Sequence, residues 1–185
     1  MPKFNNKYKK LVHAVSESDK RLLPKLEVEA EKRAYKFIEL YQGHLIKNDL
    51  RGIEPLSDRA VQAKTRAGIS IPQRPLMAGG LDKKNSYVNN LQVSKIRKNK
   101  RVVGAKVTVR RAKHWLANMT LQALFVIHEK GALIQQGRGF IRIPPRPVFA
   151  LTEDEFYKKT MSGEFGFKAK LAQEMRDIFK DFTKK

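Results

Sequence analysis

The chain has no cysteine, a single tryptophan, no apolar run approaching eighteen residues, and fewer than half as many acidic as basic side chains. The missing cysteine excludes disulfides, thiolate metal sites and a cysteine nucleophile together, and it suits a reducing compartment. The missing apolar run argues against a helical membrane span, so no membrane partner is expected. The lysines near the first residue have no apolar segment behind them, so no signal peptide is expected there. His13, His44, His114 and His128 show no His-x-x-x-His or other ligand spacing, and no metal site is expected. No glycine-rich loop ends in Lys-Ser or Lys-Thr, and Gly137-Arg138-Gly139 is too short and too basic for a dinucleotide fingerprint. Zinc-finger spacing and the aromatic-interleaved motif of RNA-binding sheets are likewise missing. No cofactor is implied, no catalytic residue stands out, and the expectation is that the chain is not an enzyme.

What is present is positive charge. The 185 residues carry 39 Lys and Arg against 18 Asp and Glu, a net of +21. That surplus repels itself unless something anionic neutralises it. Residues 52–151 hold nineteen basic and four acidic groups, a net of +15, whereas residues 1–51 and 152–185 carry only +5 and +1. The densest run is Lys95, Arg97, Lys98, Lys100 and Arg101, followed by Arg110, Arg111 and Lys113. The five residues of the first cluster are the candidate contact with an anionic partner.

The length suits one domain, and ten Phe with five Tyr argue against wholesale disorder. Residues 1–23 mix Lys, Asn and Ser with few apolar positions and read as an N-terminal arm, leaving 24–185 as the domain. From Pro24, the residues Leu26, Ala30, Ala34, Phe37, Ile38, Tyr41 and Leu45 form one stripe of a helix. A short helix is predicted over residues 57–66, and the Pro- and Gly-containing stretch 68–81 reads as an irregular loop. Period-two alternation over 87–95 and the β-branched density of 101–110 predict two strands, with Lys98-Asn99-Lys100 as the turn between them. Such a ribbon projects its cations from the tip. The segment 115–127 fits a helix or a strand equally. The adjacent His128 and Glu129, taken as strand residues, point to opposite faces and do not make a catalytic pair. Phe140-Ile141-Arg142-Ile143 predicts a short strand ending at Pro144. A helix is expected from Thr152, with Glu153, Asp154 and Glu155 in its first turn. A last helix carries Phe167, Leu171, Met175, Ile178, Phe179 and Phe182 on one face. The order predicts an α+β fold: an antiparallel β-sheet with a long basic hairpin, packed against an N-terminal and a C-terminal helix.

Two segments resemble a known family. One is Pro72-Gln73-Arg74-Pro75 with Gly80-Leu81 and Asn85-Ser86-Tyr87-Val88-Asn89-Asn90-Leu91-Gln92-Val93. The other is Phe125-Val126-Ile127-His128-Glu129-Lys130-Gly131, followed by Ile143-Pro144-Pro145-Arg146-Pro147-Val148-Phe149. Together they resemble the tailed-bacteriophage neck and tail-completion proteins, including the virion-morphogenesis family of Mu-like phages. Those proteins run from an N-terminal helix to a Gly-x-Leu-x-x-Ser-Ile strand and a basic hairpin. A Tyr-Ala-x-x-His/Glu-x-Gly strand follows, then Pro-Pro-Arg-Pro-Phe before the final helix. The order agrees over residues 24–185. Here Tyr87-Val88 stands where the family often has Ile, and Val148-Phe149 replaces Phe-Leu.

The resemblance implies a structural protein of the virion, assembled in the host cytoplasm. It would form a homo-oligomeric ring, hexameric or dodecameric, at the head–tail junction or tail end. The implied neighbours are portal, connector or tail-tube proteins, with genomic DNA in the lumen. No catalytic residue transfers. Pro144, Pro145, Arg146 and Pro147 are expected to make a rigid interface or linker, with Arg146 free to pair with a carboxylate. The alternative expectation, from charge alone, is a sequence-nonspecific nucleic-acid-binding module.

Overall fold

The computed structural model describes residues 2–47, 54–69, 72–73, 88–113 and 119–183. It is an α+β fold, as the order of predicted elements requires. The elements are α1 (Pro2–Lys47), α2 (Asp58–Arg66), a 3-10 turn (Val88–Asn90), β1 (Leu91–Lys98), β2 (Arg101–Val109), α3 (Leu121–Lys130), β3 (Ala132–Gln136), β4 (Gly139–Ile143), α4 (Val148–Ser162) and α5 (Phe167–Thr183). Among the described residues, the strands make two separate two-stranded sheets, β1-β2 and β3-β4, instead of one.

The chain divides into two compact units. The first comprises residues 1–33, 95–105 and 158–185; the second comprises 34–94 and 106–157. In the second unit, Phe37, Tyr41 and Leu45 recur every four residues along α1 and meet Val109, Leu121 and Val148 in a buried core. This is the stripe that the periodicity predicts. Around it lies an aromatic cluster: the Phe37 ring centroid is 4.8 Å from that of Phe149 and 5.6 Å from that of Phe156. Tyr41 and Phe125 meet Phe149 edge-on at 5.8 and 5.5 Å. Edge and tilted geometries put the positive ring rim against a negative face, adding about 1 kcal/mol per pair beyond simple burial.

In the first unit, Val102 of β2 is buried and shares a cleft of about 390 Å3 with Leu23, Leu26, Ala30 and Leu171. The basic hairpin thus packs its apolar side against α1 and α5, as expected. Polar pairs flank this packing: Lys25 with Glu174, Lys95 with Glu31 at 3.3 Å, and the Arg33 guanidinium 4.5 Å above the Phe167 ring. Of the last-helix stripe, Phe167 is buried and Met175 is 41% exposed. The Ile178, Phe179 and Phe182 side chains lie outside the described residues.

Two predicted boundaries are corrected. Helix α1 begins at Pro2, so Pro24 lies inside it and does not open it. An internal proline removes the bond to the carbonyl four residues earlier, and the helix runs on through it. Helix α4 begins at Val148, four residues before Thr152. Thr152 is fully buried, and its hydroxyl donates to the Val148 carbonyl at 2.7 Å instead of capping the helix. Residues 121–127 of the ambiguous segment belong to α3, so His128 and Glu129 occupy the last turn of a helix. Thr120 caps α3, its Oγ1 accepting from the Ala123 amide at 3.2 Å. Strand β3, which the sequence reading missed among the glycines, pairs Ala132 with Ile143 through Gln136 with Gly139.

Candidate anionic-partner interface

Strands β1 and β2 are joined by Asn99 and Lys100, with φ of 50° and 64°. Two consecutive residues at positive φ make the type I′ turn, whose twist matches that of the flanking strands. Asn tolerates this conformation because its short side chain can bond locally. Lysine does not, and its Cβ crowds the following carbonyl at a cost of about 1–2 kcal/mol. The turn therefore holds a cation at the ribbon tip where glycine would fit better.

Lys95, Arg97, Lys98, Lys100 and Arg101 are all exposed. Lys95 pairs with Glu31; among the described residues, Arg97, Lys98, Lys100 and Arg101 have no acidic partner. Ile96 and Val103 lie beside them at 42% and 59% exposure. Such a surface is suited to phosphate or carboxylate oxygens. In the second unit, Lys106, Arg110, Arg111 and Lys113 are also exposed.

The Pro144-Pro145-Arg146-Pro147 segment links β4 to α4, but Arg146 does not face outward as expected. It is 3% exposed. Its Nε donates to the Glu54 carbonyl at 3.1 Å and its Nη2 to the Pro55 carbonyl at 3.2 Å. Burial pulls its basicity down, while the Glu54 charge opposes that shift. Arg146 thus tethers the chain ahead of α2 to the strand–helix link.

The second family-like segment folds onto itself. The Arg146 amide donates to the His128 carbonyl. Glu129 Oε1 accepts from the Phe149 amide at 2.9 Å, giving α4 its N-terminal carboxylate cap from twenty residues upstream. Burial raises the Glu129 pKa, and its bonds from the Phe149 and Ala150 amides hold it back down. Gly131, at φ 72° and ψ 171°, ends α3 in a region open essentially only to glycine. A Cβ there would stand 2.8 Å from the Ile143 carbonyl oxygen. His128, Glu129 and Gly131 are therefore the seat of the proline segment. Of the first family-like segment, Arg74, Pro75 and residues 80–87 lie outside the described residues, as does Trp115.

Sequence reasoning passed over one buried cation. Lys64, in the last turn of α2, is 5% exposed; burial lowers its pKa to about 8, and the Arg146 charge adds to the shift. Between pH 8 and 10.5 the unfolded chain binds the Lys64 proton and the folded chain does not, so stability rises with pH there. The expected gain across that window is about 3 kcal/mol relative to Lys64→Met, in which this component vanishes. Urea melts of both proteins at pH 7.5 and 10.5 measure it; equal pH dependence would contradict it.

Among the described residues, no group of three His, Asp or Glu is arranged to hold a metal ion, and no helix is long and apolar enough to cross a membrane. Compared with protein-family models, with curated proteins and with solved structures, the chain finds no match.

Proposed function

We propose that this chain is a structural protein of a tailed-phage virion, forming an oligomeric ring at the head–tail junction or tail end. The observation that carries the reading is the basic ribbon tip. Four cations there lack an acidic partner among the described residues, and one occupies a backbone conformation that lysine disfavours. Strain retained at an exposed charged position points to function, because packing does not require it. Ring symmetry would multiply this tip into a belt of positive charge, neutralised by DNA in the lumen or by an acidic neighbouring ring. The structural use of His128, Glu129 and Gly131 accords with a role that needs no catalysis. Pro144, Pro145 and Pro147 would stiffen the path between strand and helix.

The test is native mass by light scattering across a salt series, alone and with portal or tail components. The triple variant Lys98→Glu, Lys100→Glu, Arg101→Glu is run beside the wild type. A closed ring, alone or on meeting those components, supports the reading, and the variant should lose DNA retention or assembly while staying folded. A monomer under every condition, shifting only when DNA is added, would overturn it in favour of a nucleic-acid-binding module.

A further inference from the structure

The β3-β4 hairpin is a two-stranded sheet that pairs with no other described strand; Ala132, Ile134, Ile141 and Ile143 lie on one face, and apolar, polar and basic side chains mix on the other. Its register puts Leu133 opposite Arg142 and Gln135 opposite Phe140, so Leu133, Phe140 and Arg142 share one face. Leu133 and Phe140 are each 67% exposed, on a diagonal that lets the two side chains cover one patch. No acidic residue occurs from 130 to 146, and the exposed Arg138 and Arg142 have no acidic partner among the described residues.

The same unit carries an exposed acidic pair on α4, with the exposed Lys158 one turn beyond it. Helix α4 exposes Glu153, Asp154 and Tyr157, which lie three and four residues apart on one helix face. Tyr157 is 64% exposed. Neither Glu153 nor Asp154 has a basic partner among the described residues, although the chain holds 39 Lys and Arg. Both surfaces are exposed, so neither covers the other within one chain.

We infer that the hairpin face of one copy docks on the outer face of α4 of the next copy, Arg138 and Arg142 meeting Glu153 and Asp154 around Leu133, Phe140 and Tyr157. The occupant is a second copy because this chain supplies the complementary charge and the matching apolar anchor. The two patches differ, so the contact is head-to-tail and propagates until rotation closes a ring. The inference rests on the ring reading and names the surface that would build it.

Two charge-reversed proteins test it, one with Arg138→Glu and Arg142→Glu, the other with Glu153→Lys and Asp154→Lys. Far-UV circular dichroism and a thermal melt confirm that each is folded, and sedimentation at micromolar to millimolar protein reads association. The wild type is expected to associate, each reversed protein to associate at least tenfold more weakly, and an equimolar mixture of the two to recover. In the mixture, every hairpin again faces a helix of opposite sign. Phe140→Ser, which alters only an exposed side chain, should weaken association without lowering the melting temperature. Wild-type rings that both reversals leave intact would overturn this contact while the ring reading stands. A wild type monomeric up to millimolar concentration would overturn the contact, and the ring reading would then turn on assembly with portal or tail components. Failure of the mixture to recover would overturn the head-to-tail pairing.

Discussion

Replacing Arg97, Lys98, Lys100 and Arg101 together by glutamine is expected to leave the fold intact and to weaken duplex DNA binding about a thousandfold at 0.1 M salt. Each cation that neutralises a phosphate releases a condensed counterion, so four contacts give a slope of about −3.6 in log affinity against log salt. The wild type should therefore lose about a hundredfold between 50 and 200 mM salt, and the variant should be nearly flat. Lys95 is left in place because Glu31 already pairs with it. The single variant Lys100→Gly separates charge from backbone. Glycine relieves the φ of 64°, which should stabilise the protein by about 1 kcal/mol while reducing the salt slope by about one. A filter-binding series at four salt concentrations, with urea melts of the same proteins, measures both. An unchanged slope in the fourfold variant would remove the tip as the DNA contact.

Gly131→Ala is expected to be the most damaging single-atom-scale change. The glycine's φ of 72° and ψ of 171° lie where side chains cost about 1–3 kcal/mol. Beyond that, the added Cβ meets backbone on both sides, the Ile143 oxygen at 2.8 Å and the Pro145 nitrogen at 3.0 Å. Neither atom can move without shifting the proline segment, whose Arg146 and Phe149 amides are bonded to His128 and Glu129. A loss of about 3 kcal/mol follows, or a fall of about 10 °C in melting temperature. Gly137→Ala is the control. That residue also has a positive φ, 61°, but nothing lies within 4 Å of its would-be Cβ, so only about 1 kcal/mol of backbone cost remains. Equal melting temperatures for the two variants would refute the close-packing argument.

The ribbon was legible because its signals are local. Val102, Val103, Val107 and Val109 favour a pleated, half-buried surface, and Asn99 suits a turn. The first helix was legible over its second half because Phe37, Tyr41 and Leu45 repeat with the helical period. Its first half carries few apolar residues, a pattern that suggests an arm more than a helix. The four cations of the tip were visible as a run, whereas the ion pair that occupies Lys95 joins residues sixty-four apart. The acidic triplet at 153–155 suggested a helix start, yet the helix already begins at Val148 because a distant carboxylate caps it. Arg146 suggested an outward charge, and no local feature indicated that two carbonyls ahead of α2 would receive it.

By itself the sequence determined the α+β class, the basic ribbon, the concentration of charge in the middle of the chain and the apolar stripe of the first helix. The charge follows from composition, and the other three from side-chain periodicity and turn preference within a few residues. Tertiary structure alone decided where α4 begins, that Glu129 is its cap, that Gly131 must lack a Cβ, and that Lys64 and Arg146 are buried cations. The α4 start, its Glu129 cap and the burial of Arg146 depend on groups that meet across twenty or more residues, Gly131 on backbone brought against it from twelve residues away, and Lys64 on a burial that also places it near Arg146. Chain closure sets those meetings, and local preference does not encode them.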